Sequence, residues 1–344
     1  MAALLASSVA FACSRATPPP TDRAAPKAEP QYAIAWGDGP RGVRSFWLEI
    51  SDEQPRIRGE LSGALFLVGG RVYRWKERQE AGQLLKECPP DAPFGPAVDE
   101  PSDDSEPDAG DNLRDTTVGG VDAELLDTSP TSERVEISQP PLSALANATE
   151  FSNTVELQAS AGPYLFIHFS SDAMYCGALH GSPSFSDDTF DLANKNMGAA
   201  LTKPELAELS ALAQQNGRAS LLACLAEHSD LDGHPLGAAQ LPELELWNAY
   251  PVLSASGQLA FQVELGRMHS WVEGLMSCSV TLERLPLPRS LARFAPPRGL
   301  AALLKHEPKL ALHGWSLLAA TERDRVPVID RVFVEQARRD AATE

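Results

Sequence analysis

Alternating apolar and polar residues predict a β-rich unit over residues 31–88. Three runs in this unit alternate as strands do, namely Tyr32–Trp36, Val43–Ile50 and Arg56–Leu61. Two further apolar runs, Ala64–Val68 and Arg71–Trp75, are separated by Gly69 and Gly70. Paired glycines between apolar runs favour a β-hairpin, because the tight turns of hairpins require positive φ.

Residues 131–298 combine strand patterns with helix patterns. A capping box at Thr202 and Glu205 begins one predicted helix, and Gly217 predicts its end. Two more predicted helices are Ala219–His228 and Leu287–Phe294. The predicted strands are Arg134–Ile137, Thr154–Gln158, Pro163–Phe169, Leu244–Leu253, Gln258–Leu265 and Ser277–Leu282. This mixture predicts an α+β fold, an antiparallel sheet with a few packed helices, preceded by a small β-rich unit.

Three other segments complete the predicted organisation. Lys76–Cys88 is predicted to form a short helix at the end of the first unit. Residues 89–130 form an acidic insertion, because positions 99–127 carry eleven acidic residues against the single base Arg114, a composition typical of disorder. Residues 299–344 are predicted to be a helical and extended C-terminal extension, with an apolar stretch at Leu310–Ala320 and an exposed polar tail.

Charge limits the classes of partner. The net charge is -18, so the chain cannot neutralise phosphates and we expect no nucleic-acid partner. The acidic residues of the insertion lack the glycine and the terminal glutamate of an EF-hand loop, which favours a solvated segment over a calcium site. We predict neither a metal nor a cofactor.

The first residues predict export. Ala2–Ala12 is a short apolar run, typical of the core of a signal segment, here residues 1–12. Ala10-Phe11-Ala12 fits simple signal-peptidase cleavage and secretion. Followed by Cys13, the same residues resemble a lipobox, with Ala10 where leucine is usual. We favour lipidation of Cys13, with residues 13–30 as a flexible tether that keeps the protein in the cell envelope, facing the periplasm or the exterior.

Four cysteines remain once Cys13 is set aside. They are Cys88, Cys176, Cys224 and Cys278. An even number in an exported chain favours up to two disulfides, with three pairings open, while four free thiols are the alternative. Zinc is disfavoured, because zinc sites usually bring cysteines in close pairs.

No catalytic motif is present, and we predict no catalytic residue. His168 lies within an apolar strand, where a half-buried structural role is the simplest explanation. The candidates for a ligand-binding surface are His180, Tyr250, Arg267, His269 and Trp271. His180 lies in a loop beside Cys176, and His269 lies beside Arg267 and Trp271.

Short motifs over residues 134–297 resemble the extracytoplasmic domain of RsiV-type anti-sigma factors, also found at the N-terminus of some peptidoglycan deacetylases. The matching segments are Cys176–Gly181, Thr189–Leu192, Asn194–Gly198, Leu201–Leu206, Gly257–Phe261, Val280–Leu282 and Arg289–Leu291. The acidic insertion is extra, and the usual Gly-Lys turn is missing. The resemblance implies an α+β envelope domain that binds a protein or a cell-wall ligand, and it implies no catalytic residue.

These observations predict a non-enzymatic lipoprotein of the cell envelope that binds an envelope protein or a cell-wall ligand and touches the membrane through its lipid alone. The alternatives are a secreted hydrolase of cell-wall polysaccharide and a structural envelope protein without a ligand. Converging histidine and carboxylate side chains in a deep pocket favour the hydrolase. A shallow surface around Tyr250, Arg267 and Trp271 favours binding.

Overall fold

A computed structural model describes residues 29–76, 80–83, 120–126, 134–138, 148–176, 182–198, 200–229, 233–268, 275–283 and 287–343. The sixteen strands in these ranges are β1 Gln31–Gly39, β2 Gly42–Ser51, β3 Gln54–Ser62, β4 Leu65–Val68, β5 Arg71–Lys76, β6 Glu80–Gln83, β7 Gly120–Leu126, β8 Arg134–Ser138, β9 Ala148–Ala161, β10 Tyr164–Tyr175, β11 Ser182–Asp191, β12 Asn196–Met197, β13 Glu245–Leu253, β14 Leu259–Met268, β15 Leu275–Leu282 and β16 Ala311–Leu317. The helices are α1 Lys203–Asn216, α2 Arg218–Ala226, α3 Leu300–His306 and α4 Val326–Thr343, with short 3-10 helices at Leu241–Glu243, Arg289–Phe294 and Ala320–Arg325. The predicted α+β class is confirmed.

The largest sheet, called the main sheet, has the strand order β12-β11-β10-β9-β16-β1-β2-β3, and β6 also pairs with β9. Its neighbours are antiparallel except β16 and β9, which run parallel where Gly314 faces Ser160 and Trp315 faces Ala161. The main sheet therefore contains strands from the predicted 31–88 unit, from the 131–298 unit and from the C-terminal extension.

Gly314 lets β16 lie between its two neighbours. The indole Nε1 of Trp36 on β1 donates a hydrogen bond of 2.7 Å to Ser160 Oγ on β9, across the strand that separates them. A Cβ atom on Gly314 would lie 2.1 Å from both of these atoms. Only a residue without a side chain fits between them, since packed interiors leave no such space.

Two smaller sheets cover the main sheet. The four-stranded sheet has the order β4-β5-β7-β8, and the three-stranded sheet has the order β13-β14-β15. One core includes Phe166 of the main sheet, Phe261 of the three-stranded sheet and Leu209 of α1. A second includes Phe169 of the main sheet and Tyr73 of the four-stranded sheet. Both faces of the main sheet therefore pack against apolar cores, because successive side chains of a strand point to opposite faces.

The glycine hairpin is confirmed. Gly69 and Gly70 have φ of 57° and 67°, and β4 pairs with β5 in register across them. Positive φ at both central residues is the geometry of a type I′ turn. The other strands predicted from residue 32 to residue 61 and from residue 244 to residue 282 also form, with ends shifted by a few residues.

Three expectations are wrong where the structure describes them. The predicted helix at Lys76–Cys88 is instead extended at Glu80–Gln83, because β6 adds to the edge of β9. The predicted disordered insertion contains β7, whose Ala123 and Leu125 are buried against the four-stranded sheet's core. The C-terminal extension is helical and extended as predicted, but its tail is not simply exposed and polar, because it forms helix α4, whose Ile329 and Phe333 are buried. Apart from the strands β6 and β7, residues 77–133 lie outside the described ranges.

An ion pair fixes the start of α1. Thr202 and Glu205 form the predicted capping box. The Glu205 carboxylate also accepts hydrogen bonds from Arg293, at 2.7 Å to Oε1 and 2.8 Å to Oε2. Arg293 donates further to the carbonyls of Ala200 and Ser290. Glu205 therefore ties the helix to the 3-10 helix that carries Arg293.

Helix α4 covers the outer strands of the main sheet. Ile329 and Phe333 pack into a third core with Trp47 of β2. Asp330 accepts a hydrogen bond of 2.8 Å from Trp47 Nε1 and also binds Arg58 of β3. None of the helices in the described ranges combines the length and the apolar character needed to cross a membrane.

Candidate functional site

The centre of the candidate site is a histidine–carboxylate pair. His168 alternates along β10 with Ile167 and Phe169, which are buried in the opposite core, so its ring lies on the other face of the strand. Asp187 is the residue directly opposite on β11. The Nδ1 atom of His168 lies 2.8 Å from Asp187 Oδ1, a hydrogen-bonding distance.

A buried asparagine joins this pair to the three-stranded sheet. The amide Nδ2 of Asn248 on β13 donates to Asp187 Oδ1 at 3.0 Å and also to Gln158 Oε1 on β9. Asp187 Oδ1 therefore receives hydrogen bonds from two different sheets. Because Asn248 is only 8% exposed, water cannot readily replace these bonds.

Two further ionisable side chains face the pair from the same side. Glu264 on β14 is in register with Asn248 and directly opposite Ser279 on β15, and the nearby hydroxyl groups of Ser277 and Ser279 favour its charged form. Burial raises the pKa of Glu264, and the negative charge of Asp187 raises it further. Burial also raises the pKa of Tyr250 on β13, with additional contributions from Glu264 and Asp187. These residues lie where the main sheet meets the three-stranded sheet, and we call the group His168, Asp187, Asn248, Tyr250 and Glu264 the acidic cleft.

The charge of His168 depends on its acidic neighbours. The hydrogen bond to Asp187 raises the pKa of His168, against the opposing effect of burial, and the charges of Glu156 and Glu264 act in the same direction as Asp187. His168 and Asp187 keep 23% and 15% of their side chains exposed. The Phe185 ring, 47% exposed, stacks on the imidazole at 6.0 Å. Solvent and a ligand can therefore reach the pair.

The chemistry of the acidic cleft suits recognition. Three carboxylates, those of Glu156, Asp187 and Glu264, act on one imidazole, so the cleft attracts a cation or a hydrogen-bond donor. A histidine held by a carboxylate is also the arrangement of a general base. Within the described ranges, however, no serine or cysteine is hydrogen-bonded to His168, so no activated nucleophile is assembled there.

The predicted ligand-binding residues divide into three groups. Tyr250 lies in the acidic cleft. Arg267 forms an ion pair with Glu243 instead. It lies five residues along β14 from the strand partner of Tyr250, which corresponds to about 17 Å. The remaining candidates lie outside the described residues, and these are His180, His269 and Trp271.

Sequence analysis missed the partners of Tyr250. His168 is half-buried in its strand, as predicted, but its partner Asp187 belongs to an ordinary polar run of β11. Glu264 lies between the buried residues Val263 and Leu265, where alternation alone accounts for a polar side chain. No local signal marks these residues, because their proximity depends on the packing of two sheets.

Two cysteines and a histidine form a second cluster. Cys224 of α2 and Cys278 of β15 form a disulfide, which confirms a disulfide for this pair, and Cys176 is also disulfide-bonded. Cys13 and Cys88 lie outside the described residues. The ligand atoms of Cys224, His228 and Cys278 all lie within 4.8 Å of one another, so these side chains could hold a metal once the disulfide is reduced. The wide sequence spacing of the cysteines disfavoured zinc, but the fold brings Cys224 and Cys278 together.

Comparison with protein-family models, with curated proteins and with solved structures finds no significant match. The resemblance to the RsiV-type domain therefore stays a prediction from short motifs.

Proposed function

We propose that the chain is a non-catalytic binding protein of the cell envelope, whose acidic cleft holds an amine-bearing cell-wall ligand. The observation that carries the proposal is Glu264, a half-buried carboxylate on β14 that lies beside the hydroxyl groups of Ser277 and Ser279. Asp187 repels its charge, and among the described residues the basic group that stabilises it is His168. A protonated amine of a ligand would supply the missing positive charge. Burial makes such an ion pair stronger than one at the surface.

Cell-wall peptides carry such amines, and the sugar chains beside them carry hydroxyl groups that Tyr250 could bind. The exposed ring of Phe185 offers an apolar surface at the edge of the cleft. Aromatic rings beside hydrogen-bonding groups are common in ligand sites. A basic segment of an envelope protein is the other candidate ligand, since it offers the same charge.

The test is co-sedimentation of the purified protein with insoluble peptidoglycan. We expect Glu264→Gln to weaken binding by roughly 10-fold or more, because a charge-assisted hydrogen bond is lost. The matched control is Glu283→Gln, which removes the same charge from an exposed position just after β15. Equal binding by both variants and the unaltered protein would contradict the proposal. Binding to N-acetylated peptidoglycan, whose amines are blocked, should be reduced in the same way.

Location in the envelope is part of the proposal. It is supported by the apolar run Ala2–Ala12, by Cys13 after it, and by the Cys224–Cys278 disulfide, since disulfides persist in oxidising compartments. Replacing Cys13 by alanine should move the protein from the membrane fraction to the soluble fraction. Unchanged partition of this variant would exclude the lipid anchor and leave secretion as the alternative.

The His168–Asp187 pair favours one second candidate, a hydrolase of cell-wall polysaccharide, because a carboxylate-held imidazole is a competent base. Release of soluble fragments from peptidoglycan tests this alternative. Release that is abolished in His168→Ala would replace the binding proposal with a catalytic one. Absence of release together with retained binding supports the binding protein.

A further inference from the structure

We propose that Cys224, His228 and Cys278 form a binding site for zinc or a similar transition-metal ion when the disulfide between the two cysteines is reduced. The disulfide and the metal are then alternative occupants of one site. This inference is independent of the acidic cleft and of the ligand proposed for it.

The first support is the placement of three ligand atoms by two rigid elements. Cys224 lies in the last turn of α2, and His228 follows just after the helix ends at Ala226. Cys278 comes from β15. All three ligand atoms lie within 4.8 Å of one another. A tetrahedral zinc ion with bonds of about 2.0–2.3 Å needs ligand separations of roughly 3.6 Å. After reduction the two sulfurs must therefore move apart, which rotation of the two cysteine side chains allows.

The second support is that the backbone around the ligands is fixed without the disulfide. The amide of His228 donates to the carbonyl of Leu225 at 3.1 Å, and the carbonyl of His228 accepts from Leu236 at 3.0 Å. Gly217, just before α2, packs so closely on β15 that a Cβ there would lie 2.4 Å from Val280 Cγ1. These contacts hold α2 against β15 after the sulfur–sulfur bond is broken.

The third support is access. Cys224 and His228 are half-buried, while Cys278 is almost fully buried. A reductant and an aqueous ion can reach one sulfur and the imidazole, and the other sulfur anchors the site from within. Two thiolates and one imidazole are a ligand set that zinc prefers, and three protein ligands leave a fourth position for water.

The chemistry balances as follows. A dithiol reductant transfers two electrons and two protons to the disulfide, which gives two thiols on the protein and a disulfide on the reductant. Binding of the divalent ion then forms two metal–sulfur bonds and one metal–nitrogen bond. Both thiol protons are released to solvent, and the neutral imidazole donates its lone pair.

The test is titration of the full chain with Co²⁺, whose bonds to thiolates produce a charge-transfer absorption. The protein is reduced with a phosphine, which itself offers no thiol. We expect one equivalent of Co²⁺ to bind to the reduced protein with this absorption, and Zn²⁺ to abolish it by displacing Co²⁺. The oxidised protein should show no such absorption.

Variants assign the ligands. We expect His228→Ala to weaken Co²⁺ binding by at least roughly 10- to 100-fold. Loss of a side chain that only hydrogen-bonds to a metal ligand already weakens binding by that much. Cys224→Ser with Cys278→Ser should abolish the absorption. The matched control is His306→Ala, which removes an exposed histidine from the last turn of α3. Cys176→Ser controls for the other thiols.

Several results would overturn the proposal. One is a reduced protein that binds no Co²⁺, whether it stays folded or unfolds by circular dichroism. Another is an absorption that persists without Cys224 and Cys278 or is lost in Cys176→Ser. A third is equal affinity in His228→Ala and the control. If His228→Ala does not fold, His228→Asn is used, and the same comparison applies.

Discussion

Replacing Glu205 by alanine should destabilise the protein by about 3 kcal/mol. The side chain is 8% exposed and binds both guanidinium nitrogens of Arg293, which is 32% exposed. Breaking a buried ion pair costs about 3–5 kcal/mol, and the exposure of Arg293 reduces this cost through solvent screening. Loss of the carboxylate also removes its bonds to Thr202, which adds up to about 1 kcal/mol at the helix start.

The measurement is urea unfolding followed by circular dichroism, at neutral pH and at several lower pH values. The hydrogen bonds from Arg293 hold the pKa of Glu205 well below its usual range. The carboxylate therefore stabilises the fold fully at pH values above its pKa in the unfolded chain, which is about 4.3. This stabilisation is lost as the pH falls through the lower pKa of Glu205 in the folded protein. Below about pH 4.3 the difference between the unaltered protein and Glu205→Gln should shrink.

Glu208→Ala is the matched control, because it removes an exposed glutamate from the same helix. Its effect should stay within about 0.5 kcal/mol. If Glu205→Ala and Glu208→Ala cost the same, the ion pair does not stabilise the start of α1. A double-mutant cycle with Arg293→Ala should then show no coupling, whereas the present geometry predicts a coupling of about 1–3 kcal/mol.

Three further predictions concern the sheets and their links. Replacing Cys224 and Cys278 by serine opens a closed loop with a sequence separation of 54, so the free energy of unfolding should fall by about 4 kcal/mol in denaturant melts. Asp187→Asn should lower the pKa of His168, measured by NMR titration of its ring, because the hydrogen bond that raises this pKa loses its charge. Gly314→Ala should destabilise the protein by more than about 2 kcal/mol in the same melts, because no space exists for its methyl group.

Each of these predictions has a control. For the disulfide, reduction also breaks the bond of Cys176, so the unaltered protein and the serine variant are compared with both reduced, and their stabilities should then agree. For His168, Asp188→Asn changes an exposed neighbour of Asp187, and an equal pKa shift in both variants would show that hydrogen bonding is not the cause. For Gly314, Gly42→Ala is the comparison, since a Cβ at Gly42 meets nothing within 4 Å, although its φ of 80° adds backbone strain.

Local patterns predicted most of the strands and the start of α1, because alternation and capping are properties of neighbouring residues. The strand β7 shows how composition misleads. Val121, Ala123 and Leu125 alternate with acidic residues as an amphipathic strand requires, but the surrounding excess of carboxylates favoured disorder. The prediction was wrong because burial of the alternating face outweighed the charge of the segment.

The candidate site was less predictable than the fold. Tyr250 was among the predicted ligand-binding residues, but Asp187 and Glu264 were not, because they come from strands of different sheets. The same holds for Cys278, which meets Cys224 only through the packing of β15 on α2. The short spacing of Cys224 and His228 was a usable local signal, because the turn after α2 keeps the two side chains close. Nothing in the sequence brings the third ligand to them.

The place of β16 in the middle of the main sheet has a consequence for biogenesis. The strands on its two sides, β1 with β2 and β9 with β10, leave the ribosome long before it does, and until then each half-sheet has an unpaired edge. Such edges are templates for aggregation. Translocation of the nascent chain in an unfolded state, with folding postponed until the last strand has crossed, would keep those edges from meeting a wrong partner.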